Sequence, residues 1–182
     1  LLPTGALDTT FNPSGAGLAT SSGQPEVNTL LTDSANRTYV GGDFATYNGT
    51  ARSGILRLLP DGTLDPAFTP SGLGGNTRYA RTLALLPDGK LLVGGSFSSI
   101  NSTARSHLAR LNSDGTLDTA FSASTALSSV SAAAIRAIAL LPDGRLLVGG
   151  SNFSSQPVFL RLLADGTLDP SFSPALAPGF GA

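Results

Sequence analysis

One pattern returns four times along this chain and limits what it can fold into. Gly-x-Leu-Asp-x-x-Phe stands at Gly5–Phe11, Gly62–Phe68, Gly115–Phe121 and Gly166–Phe172, with phenylalanines 57, 53 and 51 residues apart. Between these lie Leu30–Gly42, Leu85–Gly95 and Leu140–Gly150, each a Leu-Leu pair, a turn and a Val-Gly-Gly ending. Self-similarity at a fixed period near about 50 residues marks an array in which each supersecondary unit stacks on its neighbours. A residue type that recurs in every unit is scaffold before it is chemistry.

The middle unit shows how one repeat folds. Thr82–Leu86 is a short apolar run, Pro87-Asp88-Gly89 a turn, and Lys90–Val93 a second run. Proline presets φ for the turn, and glycine takes the left-handed position that closes a three-residue hairpin loop. This geometry places Leu86 opposite Lys90, Leu85 opposite Leu91 and Leu83 opposite Val93. Both strands are apolar on successive residues, so they are covered on both faces. A polar loop follows at Ser98–Ser106, then a second hairpin from His107 to Phe121 around Ser113-Asp114-Gly115. There the same loop geometry opposes Arg110 and Asp118 on one face, and Leu111 and Leu117 on the other. The equivalent ion pairs are Arg57/Asp65 and Arg161/Asp169, read as structural pairs because every unit has one.

Two hairpins, hence four strands, in each unit is the arithmetic of a β-propeller blade, whose sheets stack face to face around an axis. The fold class expected is all-β: about three four-stranded antiparallel blades plus a partial one, a segment of a larger propeller. The whole chain, 1–182, reads as one repeat array. Within it, 1–11 is the second hairpin of a truncated preceding blade, 28–68, 81–121 and 136–172 are blades, and 173–182 is a cut linker. An unclosed stack exposes two apolar sheet faces. The pattern therefore predicts a piece of a longer chain or, as an alternative, faces buried against other copies.

The motifs Leu-Pro-Asp-Gly-Lys/Arg-Leu-Leu-Val-Gly-Gly-Ser and Leu-x-Arg-Leu-x-x-Asp-Gly-Thr-Leu-Asp-x-x-Phe recur in order through residues 58–172. In this the chain resembles the delta-60 repeat family, bacterial propeller-like repeats of large secreted and surface-attached proteins. The likeness thins at Thr32–Asn36, where the turn is two residues longer, and at Ser151–Pro157, which lacks the Thr-Ala-Arg of Thr50–Arg52 and Thr103–Arg105. The resemblance implies display outside the cell and supplies no catalytic residues.

Composition agrees with a polar, weakly charged surface. Charged residues make up 13% of the chain, with a single Glu (Glu26) and a single Lys (Lys90), and net charge is −1. That leaves no basic footprint for nucleic acid and no polybasic patch or apolar span for membrane insertion. Cysteine is absent, which removes disulfides, thiolate metal sites and thiol nucleophiles. His107, the one histidine, has no second His, Cys or Glu beside it in sequence and makes a poor metal or acid–base candidate. Asn112–Asp118 is faintly spaced like a calcium loop but lacks the closing Glu. Gly15–Gly23 and Gly72–Gly75 do not lie between a strand and a helix, as phosphate cradling requires. No catalytic, metal-ligating or cofactor-binding residue is assigned. Acceptor-like triplets for glycans begin at Asn36, Asn48, Asn101 and Asn152, and the O-glycan type at Asp8, Asp33 and Asp118.

Function is expected at the segments that differ between units, Asn12–Asn28, Thr69–Arg81 and Ser122–Arg136, because variable loops on a repeated scaffold carry binding. Tyr47, Arg78 and Tyr79 are the candidate loop contacts. The expected role is a non-enzymatic structural or adhesive module of an extracellular or bacterial cell-surface protein. Its partners are a protein or glycan at a surface, or further copies or blades of itself. The alternative is a ligand-binding or enzymatic propeller with its site at the central channel, completed by missing blades. That alternative predicts channel-mouth residues that differ from unit to unit.

Overall fold

The structure is a computed structural model that describes residues 2–12, 15–20, 23–75, 77–129, 132–152, 154 and 157–172. Its first unit (unit I) holds β1 (Leu18–Ala19), β2 (Glu26–Thr32), β3 (Thr38–Asp43), β4 (Thr46–Tyr47), β5 (Thr50–Ala51) and β6 (Ile55–Leu58). Unit II holds β7 (Leu73–Gly74), β8 (Tyr79–Leu85), β9 (Leu91–Ser96), β10 (Ser99–Ile100), β11 (Thr103–Ala104) and β12 (Leu108–Leu111). Unit III holds α1 (Ser124–Ser129), β13 (Ala132–Leu140), β14 (Leu146–Asn152) and β15 (Pro157–Leu162). The main sheet of each unit is an antiparallel meander: β2-β3-β6, β8-β9-β12 and β13-β14-β15.

The first hairpin forms in the register its turn dictates. Leu85 pairs with Leu91 and Leu83 with Val93, while the Leu86 N–H donates to the Lys90 carbonyl at 2.8 Å. Gly89 closes the loop at φ +81°, a conformation only glycine adopts without cost. Each first strand starts earlier than the boundaries at 28, 81 and 136, at Glu26, Tyr79 and Ala132. A β-bulge explains the extension: the register shifts between Val27 and Thr29, Ala80 and Thr82, and Ile135 and Ala137. The second glycine of each Val-Gly-Gly faces that bulge, and a Cβ on Gly42, Gly95 or Gly150 would run into the carbonyl of Glu26, Tyr79 or Ala134.

The fourth strand expected in each unit is reduced to one bridge, Leu58–Leu64, Leu111–Leu117 or Leu162–Leu168. The cause lies in the next residue. The Asp65 N–H still reaches the Arg57 carbonyl, but its side chain then captures the Ala67 N–H at 2.8 Å and bends the chain away. Asp118 and Asp169 do the same to Ala120 and Ser171. The polar segment 98–106 is also more than a loop. It folds as the β10–β11 hairpin, to which the incoming linker adds β7, and β1 joins β4–β5 in the same way. The Asn48-Gly49 turn there has φ +48° and +76°, the signature of a two-residue type I′ loop. In unit III the linker instead forms α1, which buries Ala126 and Leu127.

Stacking buries the central strand on both faces. In β9, Leu91 and Val93 enter the layer shared with unit I, with Tyr39, Ile55, Ala80 and Leu83. Leu92 enters the layer shared with unit III, with Leu108, Ile135 and Val148. A third cluster, Val40, Phe44, Tyr47, Leu56 and Leu58, lines the other face of unit I. At roughly 1.5–3 kcal/mol for each large apolar side chain taken from water, these layers hold the stack together. No helix among the described residues is long and apolar enough to cross a membrane.

Candidate functional site

The residues with the most chemistry per unit meet at the recurring aspartate. Arg57 Nε lies 2.7 Å from Asp65 Oδ2, Arg110 Nε 2.7 Å from Asp118 Oδ2, and Arg161 Nε 2.7 Å from Asp169 Oδ2. Each guanidinium also covers the phenylalanine ring that closes its motif, Phe68 at 4.8 Å, Phe121 at 4.8 Å and Phe172 at 4.7 Å. A second cation arrives from the first hairpin and was not foreseen. Lys90 Nζ is 2.8 Å from Asp118 Oδ2, Arg145 Nη1 is 3.1 Å from Asp169 Oδ2, and Arg37 Nη1 is 3.9 Å from Asp65 Oδ2. The signal was present, since each of these cations follows its turn at the same place in the unit.

The carboxylates are therefore saturated acceptors. Burial would raise Asp118, but hydrogen bonds from Lys90, Arg110 and the Ala120 N–H outweigh it and hold its pKa at about 2. Asp169 is also held well below the usual carboxylate range, chiefly by the Ser171 hydroxyl and N–H, with Arg161 and Arg145 adding to them. A carboxylate this acidic and this thoroughly bonded is a poor general base.

The cluster reaches into the neighbouring unit. Arg57 Nη1 donates to the Ser113 carbonyl at 2.9 Å, and Arg110 Nη1 to the Ala164 carbonyl at 2.7 Å. Ser113 and Ala164 occupy the same position in the Asp-Gly turns of units II and III. The residue after each phenylalanine donates its N–H to the aspartate carbonyl of the next turn: Asn12 to Asp61, Thr69 to Asp114 and Ser122 to Asp165, at 2.8–2.9 Å. The turn glycine seats this contact. A Cβ on Gly62 would lie 3.0 Å from the Phe11 ring, one on Gly115 2.8 Å from Pro70, and one on Gly166 3.0 Å from Phe121. Motif and turn together thus make one latch from unit to unit.

The remaining candidates separate. Tyr47, expected at a loop surface, is buried instead, because its ring packs with Val40 and Leu56 while Oη donates to the Gly62 carbonyl at 2.6 Å. Arg78 is exposed, and Tyr79, half-buried at the start of β8, carries Arg81 over its ring at 5.5 Å. His107 precedes β12 at φ +66°, where unit I has Gly54, and burial lowers its pKa. Asn48 and Asn101 spend their side chains on the fold, Asn101 Nδ2 donating to the Gly115 carbonyl at 2.8 Å and Asn48 Nδ2 to Asn12 Oδ1 at 2.7 Å. Among the described residues, no three His, Asp or Glu side chains are grouped to hold a metal. The segment 173–182 lies outside the described residues. A groove of about 450 Å³ runs between the turn tips of units II and III, over Pro87, Leu140, Pro142 and Ala164, with Arg110 in its wall.

A family model described as "Domain of unknown function (DUF5122) beta-propeller" matches residues 36–68, 86–121 and 141–172, more than half of the chain. The chain belongs to this β-propeller family. Each match begins at or just before the tip of the first hairpin and ends on the latch phenylalanine, so the latch lies inside the family pattern. The linkers and most of each first strand lie outside it. Comparison with curated proteins and with solved structures gives no match.

Proposed function

We propose that this DUF5122 β-propeller chain is a non-catalytic structural and adhesive module, of the delta-60 repeat type, in a bacterial extracellular or cell-surface protein. The observation that carries this reading is the fate of the recurring aspartates. Asp65, Asp118 and Asp169, the residues best suited to acid–base work, are held by two cations each, and the arginines of Asp65 and Asp118 are also tied into the neighbouring turn. Contact then falls to the segments that enter each unit, where Arg78 stands exposed beside Tyr79.

The test is protease shaving of intact source cells, with an antibody against this chain as the probe. Loss of the signal before lysis supports surface display, and survival of the full signal until lysis refutes it. The contact role is read separately, by binding of the purified chain to immobilised surface glycans and proteins. Arg78→Ala with Tyr79→Ala should abolish capture; capture that is unaffected refutes a role for this linker.

A further inference from the structure

The inner edge of the stack carries two arginines with no counter-ion. β2, β8 and β13 are each an edge strand of their main sheet, and β2 packs on β8 as β8 packs on β13. The first strands therefore line the edge on which the units converge, which in a propeller faces the axis. The bulge in each of them leaves one residue without a partner on the neighbouring strand: Asn28, Arg81 and Arg136. The bulge and the glycine opposite it repeat in all three units, whereas this residue changes. Such variation marks a site rather than scaffold.

Unit I shows what the position reaches. Asn28 Nδ2 donates across the boundary to the Ala80 carbonyl of unit II at 3.1 Å, so one bulge lies against the next. The same register sets Arg81 against the Ile135–Arg136 bulge of unit III. Arg81 makes no such bond. Its guanidinium rests 5.5 Å from the centre of the Tyr79 ring, and its Nε is shut off from solvent with no acceptor among the described residues. Arg136 is exposed, and its side chain has no hydrogen bond or ion pair among the described residues. Arg52 and Arg105 also leave Nε without an acceptor, but each spends Nη1 on the carbonyl before it, Ala51 or Ala104. A desolvated N–H with nothing to bond is unfavourable, and two guanidinium groups on touching strands repel. One anion between them removes both penalties. Glu26 and Asp43, the carboxylates at this end of the sheets, stand paired across β2 and β3 of unit I, which directs an anion to the II–III boundary instead.

We infer that Arg81 and Arg136 hold one oxyanion, the carboxylate, sulfate or phosphate group of a ligand, at the inner edge between units II and III. Arginine suits this task because its planar fork meets two oxygens of such a group at once. Arg81 adds a donor from which water is already excluded. The site is separate from the linker contact, since it needs neither surface display nor the exposed Arg78.

The test is NMR of the isotope-labelled 182-residue chain, following the arginine Nε–H signals while sodium sulfate replaces sodium chloride at constant ionic strength. The Arg81 signal should shift along a saturating curve, and Arg136→Gln, at an exposed position, should weaken binding about tenfold or more. Arg81→Lys keeps the charge and loses the fork; read at the Arg136 amide, it should weaken binding as much. Arg52→Gln, an equal loss of charge in unit I, should leave the Arg81 curve unchanged. Dextran sulfate, compared with neutral dextran, identifies the source of the oxyanion. Tighter saturation per sulfate assigns an acidic glycan, and no gain assigns a small free anion. A shift that grows without saturating, one matched at Arg52 Nε, or one that survives Arg136→Gln overturns the inference. Surface shaving and linker capture would be untouched by that failure.

Discussion

Glycines of the same conformation give the sharpest test of the latch. Gly89, Gly115 and Gly144 all close hairpin turns with φ between +81° and +90°. An alanine at any of them meets the left-handed penalty, about 1–2 kcal/mol. They differ in what a Cβ would touch. At Gly144 nothing lies within 4 Å, and at Gly89 only the Ser113 Cβ, at 3.9 Å. At Gly115 the new methyl would sit 2.8 Å from the nitrogen and Cδ of Pro70 and 3.1 Å from the Thr69 nitrogen. Those atoms are backbone or ring, so relief requires the linker to move and the Thr69 to Asp114 hydrogen bond to lengthen. Overpacking of this kind costs a further 1–3 kcal/mol or so.

The expected costs are therefore about 1–2 kcal/mol for Gly89→Ala and Gly144→Ala and about 2–5 kcal/mol for Gly115→Ala. Urea unfolding followed by circular dichroism measures them, and hydrogen exchange locates the damage. The Thr69 amide should lose protection in Gly115→Ala and keep it in Gly89→Ala. Gly166→Ala, which meets Phe121 and Ala123, should repeat the large cost one boundary further on. Equal costs at all four positions, with Thr69 protected throughout, would refute the latch and leave these glycines as turn residues alone.

Other expectations follow from the same geometry. Asp118 titrates near 2 in the folded chain against an ordinary 3.8, so its contribution of about 2 kcal/mol is present above pH 4 and is lost as the pH falls toward 2. Asp118→Asn should therefore cost about that much at pH 7, with the gap from the native chain closing by pH 2; a gap that persists there counts against the ion cluster. Tyr47→Phe strips the donor from the buried Gly62 carbonyl and should cost about 1–3 kcal/mol by urea unfolding, where a surface tyrosine would cost nothing measurable. Leu92→Ala opens a cavity in the II–III layer and should cost about 2–5 kcal/mol, whereas Leu30→Ala, at an exposed site, should cost well under 1 kcal/mol.

Period and turn chemistry make the stack legible in the sequence. Pro87-Asp88-Gly89 determines its hairpin register because the turn is local, and the apolar runs beside it announce burial on both faces. The same loop rule put Arg110 beside Asp118. Four features were not legible for definite physical reasons. The fourth strand ends after one bridge because the aspartate side chain competes for the next amides, an effect that strand patterning does not register. The small hairpins at Thr46–Ala51 and Ser99–Ala104 are polar and two residues per strand, too short for alternation to show, although Asn48-Gly49 was a usable sign. Tyr47 looked like a contact residue because hydropathy treats a tyrosine in a polar segment as surface, while its ring in fact fills the layer beneath β4. The latch itself joins residues of different units, and no pattern within one unit can show it.

The placement of charge bears on function. In a chain with so few ionic groups, most are tied down: Asp65, Asp118 and Asp169 with their two cations each, and turn residues such as Asp61, Asp114 and Asp165, whose carboxylates accept from the threonine two positions on. What remains is Glu26, Asp43, Arg52, Arg78, Arg81, Arg105 and Arg136. Strand register gathers these at one end of the sheets, where first strands begin and second strands finish: Glu26 pairs with Asp43, and Tyr79, next to Arg78, pairs with Ser96. Unit I contributes the acidic pair and Arg52, while units II and III contribute arginine alone. The end that receives the linkers is thus the end with charge left to spend, and it is polarised along the stack. A surface partner that reads charge would meet this chain there, away from the latch that holds the units together.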